Sequence, residues 1–450
     1  MGTKRQRRPA GGGRPGLSRL AVCGYKSICQ EQAIVLRPLT VLAGANSSGK
    51  SSMMQPLLLL KQTLEAPFDP GALLLDGPNV RLTSAEQLAC RVPGSCPSML
   101  SMELGLADGD TLGLGFKRIP GMGMEIDHLT HVTATGDKTA LRPGMSHQEI
   151  EAILPEHLRR LREDMSGGGK WDLHWVVSRD RCFLFFGLAG SGKVPRSDWL
   201  ARAFSPAVLV GPLIEQMIHV PGLRGNPERT YKTTAVGQTF PGTFEAYIAS
   251  IISHWQSTGD PKLQELSSVL EDLGLTWKVE AKPLDDTRVE LRVGRMPHAK
   301  RGGAYDLVSI ADVGFGVSQT LPVLVALLAA RPGQIVYLEQ PEIHLHPRAQ
   351  RRLADVLAKV ATRGVVTVVE THSALLVRGI QTQVARGELS PSLVGLHWFQ
   401  REAATGATQV TAADLDPQGA FGDWPEDFDD VALQAEQDYL DAVEKRGVAV

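Results

Sequence analysis

The sequence predicts an α/β fold in which a mixed sheet flanked by helices is assembled from the two ends of the chain, with an α+β or helical lobe inserted between them. Three observations predict it. A glycine-rich loop at 44–49 lies between an apolar strand pattern and a helix pattern. The last third of the chain alternates strands with helices, as chains do when helices cover the faces of a parallel sheet. About 225 residues separate the two regions, enough for a lobe of its own.

Composition bounds the rest. A length of 450 residues suggests about three domains or lobes. With 43% apolar and 21% charged residues the chain is ordinary globular material, which excludes a disordered or fibrous protein. The formal net charge of −2 leaves no global basic field, so any nucleic-acid surface must be local. The longest apolar stretch, Leu321 to Ala330, falls short of the ~20 residues that cross a bilayer. The basic N-terminus has no apolar run behind it, so no secretory leader is expected. Five cysteines, spaced Cys23/Cys29 and Cys90/Cys96, do not suit zinc and fit a reducing compartment. A cytoplasmic protein without a membrane partner is the expectation.

The elements follow in order. Residues 1–16 hold Lys4, Arg5, Arg7, Arg8 and Arg14 among Gly and Pro, a basic tail that packs no core. LSRLAVCGY, AIVL and LTVLAG read as strands, and the helix after the glycine loop stops near Glu65, ahead of Pro67 and Pro70. Residues 73–145 read as short strands broken by Gly and Pro. Ser146 and Glu149 form a capping box for a helix with Ile150, Ile153, Leu154, Leu158 and Leu161 on one face and a break at Pro155. A glycine linker at 166–169 follows. Helical periods run from Phe244 to Trp255 and from Leu263 to Leu273, where Gly274 ends the second. WKVEAK-PLDD-TRVELRV predicts a hairpin. Then come helix 318–330, strand QIVYL, helix 348–361, strand VVTVVE and a helix from Ala374. Beyond Asp414 the chain is acidic, with a short amphipathic helix near 431–443. The division read from this is a tail (1–16), a first part of the head (17–90), an inserted lobe (91–305), a second part of the head (306–390) and a small C-terminal domain with an acidic tail (391–450).

Gly44-Ala-Asn-Ser-Ser-Gly49-Lys50-Ser51 matches G-x4-G-K-[ST] in the strand–loop–helix setting that the chemistry needs. Glycines let backbone N–H groups turn inward as an anion nest, and the helix N-terminus adds its dipole. Gly44, Asn46, Ser47, Gly49, Lys50, Ser51 and Ser52 are the predicted ATP-binding residues, with Lys50 on the terminal phosphates and the Ser51 hydroxyl on Mg²⁺. A second match, Gly187 to Lys193, has Val194 and Pro195 where a hydroxyl and a helix are needed, and reads as a strand and turn. Downstream, strand 335–338 ends in Glu339-Gln340-Pro341-Glu342, and strand 365–369 ends in Glu370-Thr371-His372-Ser373. An apolar strand ending in a carboxylate is how such enzymes bring an acid to Mg²⁺.

These segments resemble a known superfamily. GANSSGKSS, ADVGFGVSQ, IVYLEQPEIHLHP and VVETHS are similar to the phosphate loop, signature, Walker B/D-loop and H-loop of ABC-class ATPases. The closest resemblance is to stand-alone prokaryotic AAA/OLD-like ATPases related to RecF and SMC heads, over roughly 17–80 and 300–385. HWFQREAATG…DWPEDFDD resembles the small C-terminal domain of unknown function found on some of them. The resemblance implies an ABC-type P-loop head that uses ATP and Mg²⁺. It places Glu339 at the Mg²⁺-associated carboxylate, Gln340 at the general base, His346 at the D-loop aspartate and His372 at the switch histidine. It places Gly314, Gly316 and Ser318 in a signature that touches the nucleotide of a second copy, implying a homodimer with two sandwiched nucleotides. Antiviral defence or genome maintenance is the implied setting, with DNA or an effector protein such as a nuclease or toxin as partner.

Gln340 departs from the family pattern, because an amide accepts no proton from the attacking water. Glu342, Glu370 and His372 are the candidate substitutes, and water orientation by Gln340 is the other reading. Slow turnover and a long-lived ATP-bound dimer follow. The set Glu342, His344, His346 and His372 suits a metal by residue type, but the loop reading is preferred. Gln87 is a candidate Q-loop residue. His219, Arg224, Arg229 and Lys232 make a basic segment that reads equally as a phosphate site or a salt-bridged loop. Arg295, His298, Lys300 and Arg301 invite the same two readings. The inserted length exceeds a transporter domain and lacks the heptads of SMC arms. Two functions therefore stand side by side, a cycling ATPase and an ATP-gated scaffold with negligible hydrolysis.

Overall fold

The computed structural model describes residues 16–90, 99–121, 123–154, 156–165, 172–191, 201–295 and 306–422, with Gln437 and Leu440. The basic leader up to 15, the linker at 166–169, His298, Lys300 and Arg301 lie outside the described residues, as does the helix expected at 431–443 apart from those two positions.

The central sheet has six strands in the order Ile218–Val220, Ile335–Glu339, Val366–Thr371, Leu39–Gly44, Val394–Arg401, Thr408–Ala413. The first five run parallel and the last antiparallel, so the sheet is mixed. Leu39–Gly44 is buried at every position, as a strand covered on both faces must be. One face of the sheet presents Leu42, Tyr337, Val368 and Phe399 to the helix Lys50–Glu65. The other presents Val41, Val336, Leu338 and Val369 to helices that include Phe315–Ala329, Pro347–Thr362 and Ala374–Ala385. Both sheet neighbours of the glycine-loop strand, Val366–Thr371 and Val394–Arg401, come from far downstream in the chain, and in open α/β sheets ligands bind outside the carboxyl ends of the strands.

A second six-stranded sheet, antiparallel, packs beyond the Lys50–Glu65 helix. In it Leu17–Cys23 pairs with Met99–Leu106. The helices, hairpin and strands expected between 146 and 385 are present, and Ser146 and Glu149 make the reciprocal bonds of a capping box. Gly187 to Ser191 belong to the strand Phe183–Ser191, paired with Asp172–Asp180, so the second glycine motif does not form a nest there.

The structure departs from the sequence reading in three places. The division at 91 cuts a sheet, since Leu17–Cys23 and Met99–Leu106 are hydrogen-bonded neighbours. The division at 391 likewise separates Val394–Arg401 from Leu39–Gly44, its parallel partner, and Ile218–Val220 from the supposed insertion edges the head sheet. Strand pairing is non-local and leaves no mark in local pattern. Thirdly, Cys29 and Cys90 are joined as a disulfide with a Cα separation of 5.7 Å, against an all-thiol reading of the cysteines. Among the described residues no helix is long and apolar enough to cross a membrane.

Candidate nucleotide site

The glycine loop turns on three left-handed or Gly-only backbone positions, Gly44 at φ 150°, Ser47 at 61° and Gly49 at 107°. Its walls come from the C-terminal hairpin. A Cβ on Gly44 would lie 2.2 Å from the Phe399 carbonyl oxygen, and one on Gly49 would lie 2.3 Å from Thr408 Oγ1. The Thr408 hydroxyl donates to Ser48 O at 2.8 Å and lies 2.8 Å from Ser27 Oγ. Arg401 Nε donates to Ser47 O at 2.7 Å. The loop is thus held in shape by residues about 350 positions downstream.

Lys50, which opens the helix, is buried. Its ammonium donates to Gly44 O at 2.9 Å and Ala45 O at 2.8 Å, and lies 3.5 Å from His372 Nδ1. Burial lowers its pKa to about 8, against the pull of Glu370 and Glu342.

The carboxylates are arranged differently from expectation. Ser51 Oγ donates to Glu370 Oε1 at 2.9 Å, and Tyr337 OH donates to Glu370 Oε2 at 2.9 Å. Burial, with the Glu339 charge adding to it, raises the Glu370 pKa above the usual range. Glu339, expected beside Ser51, is held elsewhere. Its Oε1 lies 3.1 Å from His219 Nε2, and its Oε2 accepts from Gly222 N at 3.0 Å. The net effect of those partners is a lowered pKa in spite of burial. Glu339 and Glu370 are register partners on adjacent parallel strands, so the two acids stand side by side with Tyr337 between them. Their environments push them apart, one toward the ionised form and one toward the protonated form.

A cavity of about 370 Å³ is lined by Asn46 to Ser52 with Gln340, Glu370, His372 and Arg401. The predicted ATP residues from Asn46 onward therefore converge, together with Gln340 and His372. Glu342 does not join them. It is buried, its Oε1 accepts from Thr371 Oγ1 at 2.6 Å and from His372 N at 3.0 Å, and it fixes His372 from behind. Gln340 adopts φ 44° and its N–H donates to Glu370 O at 2.8 Å. His344 is also left-handed, at 67°. Ser47, Gln340 and His344 are three of the five such non-glycine positions among the described residues, and strain of this kind is stored where function fixes the surroundings.

Gly314 caps the helix Phe315–Ala329, with Gly316 and Ser318 in its first turn and the Ser318 hydroxyl donating to Phe315 O at 3.2 Å. None of the three lines the cavity of its own chain. Phe315 is 53% exposed, its ring 6.1 Å from that of exposed His344. His346 caps the helix Pro347–Thr362 through its side chain. Among the described residues no cluster of three or more metal-ligating side chains forms, so the Glu342/His344/His346/His372 set does not converge. Gln87 bonds to Thr83 on the surface, away from the cavity.

Of the basic segment at 219–232, His219, Arg224 and Arg229 have partners within the fold, and Lys232 is exposed. His219 is buried against Glu339 and Asn79 and stacks on Tyr337. Arg224 is buried and donates to Glu339 O at 2.8 Å and Gln319 O at 3.1 Å, joining the acidic strand end to the helix Phe315–Ala329. Arg229 pairs with Asp312 at 2.8 Å. Sequence reasoning missed Arg401 and Thr408 altogether, and no local signal marks either. Glu370 it held only as a substitute base.

Residues 254–378 match the family model described as AAA domain, putative AbiEii toxin, Type IV TA system. No curated protein matches the chain. Among solved structures the chain is similar to the SMC head bound to the C-winged helix domain of ScpA, with 12% identity, a TM-score of 0.43 and coverage of 89% of this chain and 98% of that one. It is similar to the SMC head domain from Thermotoga maritima, at 12% identity and TM-score 0.37, covering 89% and 100%. A third is the Smc head with an extended coiled coil bound to the C-terminal domain of ScpA derived from Pyrococcus furiosus, at 11% and 0.42, covering 96% and 100%. The glycine loop at the carboxyl end of Leu39–Gly44, the paired acidic strand ends of Ile335–Glu339 and Val366–Thr371, and the AAA match over 254–378 fall in one region of the fold. Residues 254–378 are thus similar to an AAA domain, in a chain whose glycine loop, strand and helix have the geometry of a phosphate-binding loop.

Proposed function

We propose that the chain binds Mg-ATP in the 370 Å³ cavity, hydrolyses it slowly, and uses nucleotide-driven pairing of two copies as a switch. The observation that carries this is the 2.9 Å bond from Ser51 to Glu370, on the rim of a cavity that also holds Lys50, Gln340 and His372. A serine hydroxyl beside a carboxylate is a hard-oxygen pair of the kind that suits Mg²⁺. Ser51 and Glu370 would hold the ion, which would supply positive charge against the phosphates.

The chain's own residues do the rest. Loop N–H groups and the start of the Lys50–Glu65 helix receive the phosphates. Lys50, now on the carbonyls of Gly44 and Ala45, turns its ammonium to the terminal phosphate. His372, fixed by Glu342, faces the same end. Gln340 orients water and takes no proton from it. Among the described residues Glu370 is the single carboxylate lining the cavity, so one acid must either hold the ion or accept the proton. That conflict makes hydrolysis slow.

Gly314, Gly316 and Ser318 lie outside their own cavity, which supports a head-to-tail homodimer in which each signature completes the partner's site. The family resemblance supports a cytoplasmic role in antiviral defence or genome maintenance, acting on DNA or on an effector protein such as a nuclease or toxin. Gln340 also favours a second reading, an ATP-gated scaffold whose hydrolysis is negligible. Light scattering with and without Mg-ATP, with phosphate release followed in the same sample, separates them. Dimerisation with steady release indicates a cycling ATPase, and dimerisation without it indicates a scaffold. A chain that stays monomeric with ATP bound refutes the sandwich.

A further inference from the structure

The loop after the edge strand Ile218–Val220 is tied both to the acidic strand end and to the helix Phe315–Ala329. Gly222 N donates to Glu339 Oε2 at 3.0 Å, and Gln319 Nε2 donates to Gly225 O at 3.2 Å. Between these ties Arg224 turns inward and is buried. A guanidinium taken out of water must recover that cost through its hydrogen bonds and neighbouring charges. Nη1 donates to Gln319 O at 3.1 Å, and Nη2 donates to Glu339 O at 2.8 Å and Gln340 O at 3.4 Å. All three acceptors are main-chain carbonyls, while Glu245, Glu342 and Glu339 supply compensating charge.

Two of those carbonyls flank the Cα of Gln340. A non-glycine residue keeps a left-handed φ such as its 44° only where the surroundings impose it. The Gln340 N–H is fixed on Glu370 O at 2.8 Å, and Arg224 grips the peptide carbonyl on each side of the Cα. That turn carries Gln340 into the wall of the cavity. The third carbonyl, Gln319 O, gives the guanidinium its footing on the helix Phe315–Ala329, outside the strand end. A planar fork spans both footings at once, which an ammonium on a flexible stem does not. We propose that Arg224 is the positioning residue for Gln340, holding the strained turn that keeps its amide in the cavity wall. The inference rests on the reading that the cavity binds ATP and that Gln340 orients water there. Arg224 does not line the cavity and acts through Gln340 alone.

Arg224→Lys, made in the parent chain and in the Gln340→Ala and Gln340→Glu backgrounds, tests this through ATP affinity and single-turnover phosphate release. In the parent the rate should fall by about tenfold to 10²-fold, the loss that misplacing a working group brings, with affinity held within about twofold. Where Gln340→Ala leaves nothing to position, adding Arg224→Lys should cost less than about twofold. With Gln340→Glu it should cost at least what it costs in the parent. Should Arg224→Lys lose ATP affinity, Arg224→Gln, which leaves no cation to bury, is read in its place. One equal factor in all three backgrounds shows a structural role and overturns the proposal. So does an unchanged rate in the parent background, or a parent rate that Gln340→Ala leaves untouched. A parent that binds no ATP refutes the nucleotide reading, and this inference with it. A parent that binds ATP but releases no phosphate, even as Gln340→Glu, leaves nucleotide binding standing and overturns this inference alone.

Discussion

Glu370→Gln separates chemistry from stability. The carboxylate accepts hydrogen bonds from Ser51 and Tyr337, both at 2.9 Å. A glutamine amide fills the same volume, accepts from Tyr337 through its oxygen and donates to Ser51 through its nitrogen. Each bond falls from a charged one, worth about 1.5–3 kcal/mol, to a neutral one of about 0.5–1.5 kcal/mol, a loss of about 2–3 kcal/mol in all. Against this, the substitution removes a buried charge beside Glu339, and desolvating an ion in a protein costs several kcal/mol. The two nearly offset, so the midpoint of thermal unfolding without nucleotide should stay within a few degrees of the parent or rise. Hydrolysis should behave oppositely. Losing Glu370, the one carboxylate lining the cavity among the described residues, should lower the single-turnover rate by about 10²–10⁴, the range for a positioned acid or base. Single-turnover phosphate release and calorimetry on the same preparation read both quantities. A rate within about threefold of the parent, with ATP still bound, refutes the assignment of Glu370.

Other consequences follow from the same geometry. Gln340→Glu puts a second carboxylate in the cavity and should raise the single-turnover rate at least about tenfold, because metal holding and proton acceptance no longer compete. Gly49→Ala meets Thr408 Oγ1 at 2.3 Å and holds a non-glycine residue at φ 107°, so ATP affinity measured with a fluorescent analogue should fall, and Thr408→Ser should not rescue it. Phe315→Arg changes a 53% exposed ring at the signature and should abolish ATP-dependent dimerisation in light scattering while leaving nucleotide affinity intact. Lys61 and Glu65 form a buried pair tied to the Phe240 and Gly242 backbone. Lys61→Met alone should cost about 3–5 kcal/mol in urea unfolding, and adding Glu65→Gln should recover part of that loss.

Local pattern carries much of this protein. The strand, loop and helix at 39–65 are legible because a nest of N–H groups needs glycines at set spacing, directly before a helix N-terminus. The helices from 244 onward are legible because their apolar residues repeat with the helical period, and Gly274 at φ 74° ends one where a left-handed residue is needed. The strands at 335 and 366 declare themselves as short buried runs ending in acids. By itself the sequence therefore determined an α/β head and a glycine loop between strand and helix, and it predicted phosphate binding there and no base at Gln340.

Tertiary structure decided which acid faces the loop. Glu339 and Glu370 end equivalent strands, and nothing local distinguishes them. The choice falls to Glu370 because its strand is hydrogen-bonded directly to Leu39–Gly44, while His219 and Gly222, from a distant segment, hold Glu339. Tertiary structure also decided that Val394–Arg401 and Thr408–Ala413 belong to the head and brace the loop through Arg401 and Thr408. The physical reason is the same in both cases. Helix and turn signals arise from residues a few positions apart, whereas sheet neighbours are chosen by burial and pairing across hundreds of positions, and that choice aims the side chains that do the chemistry.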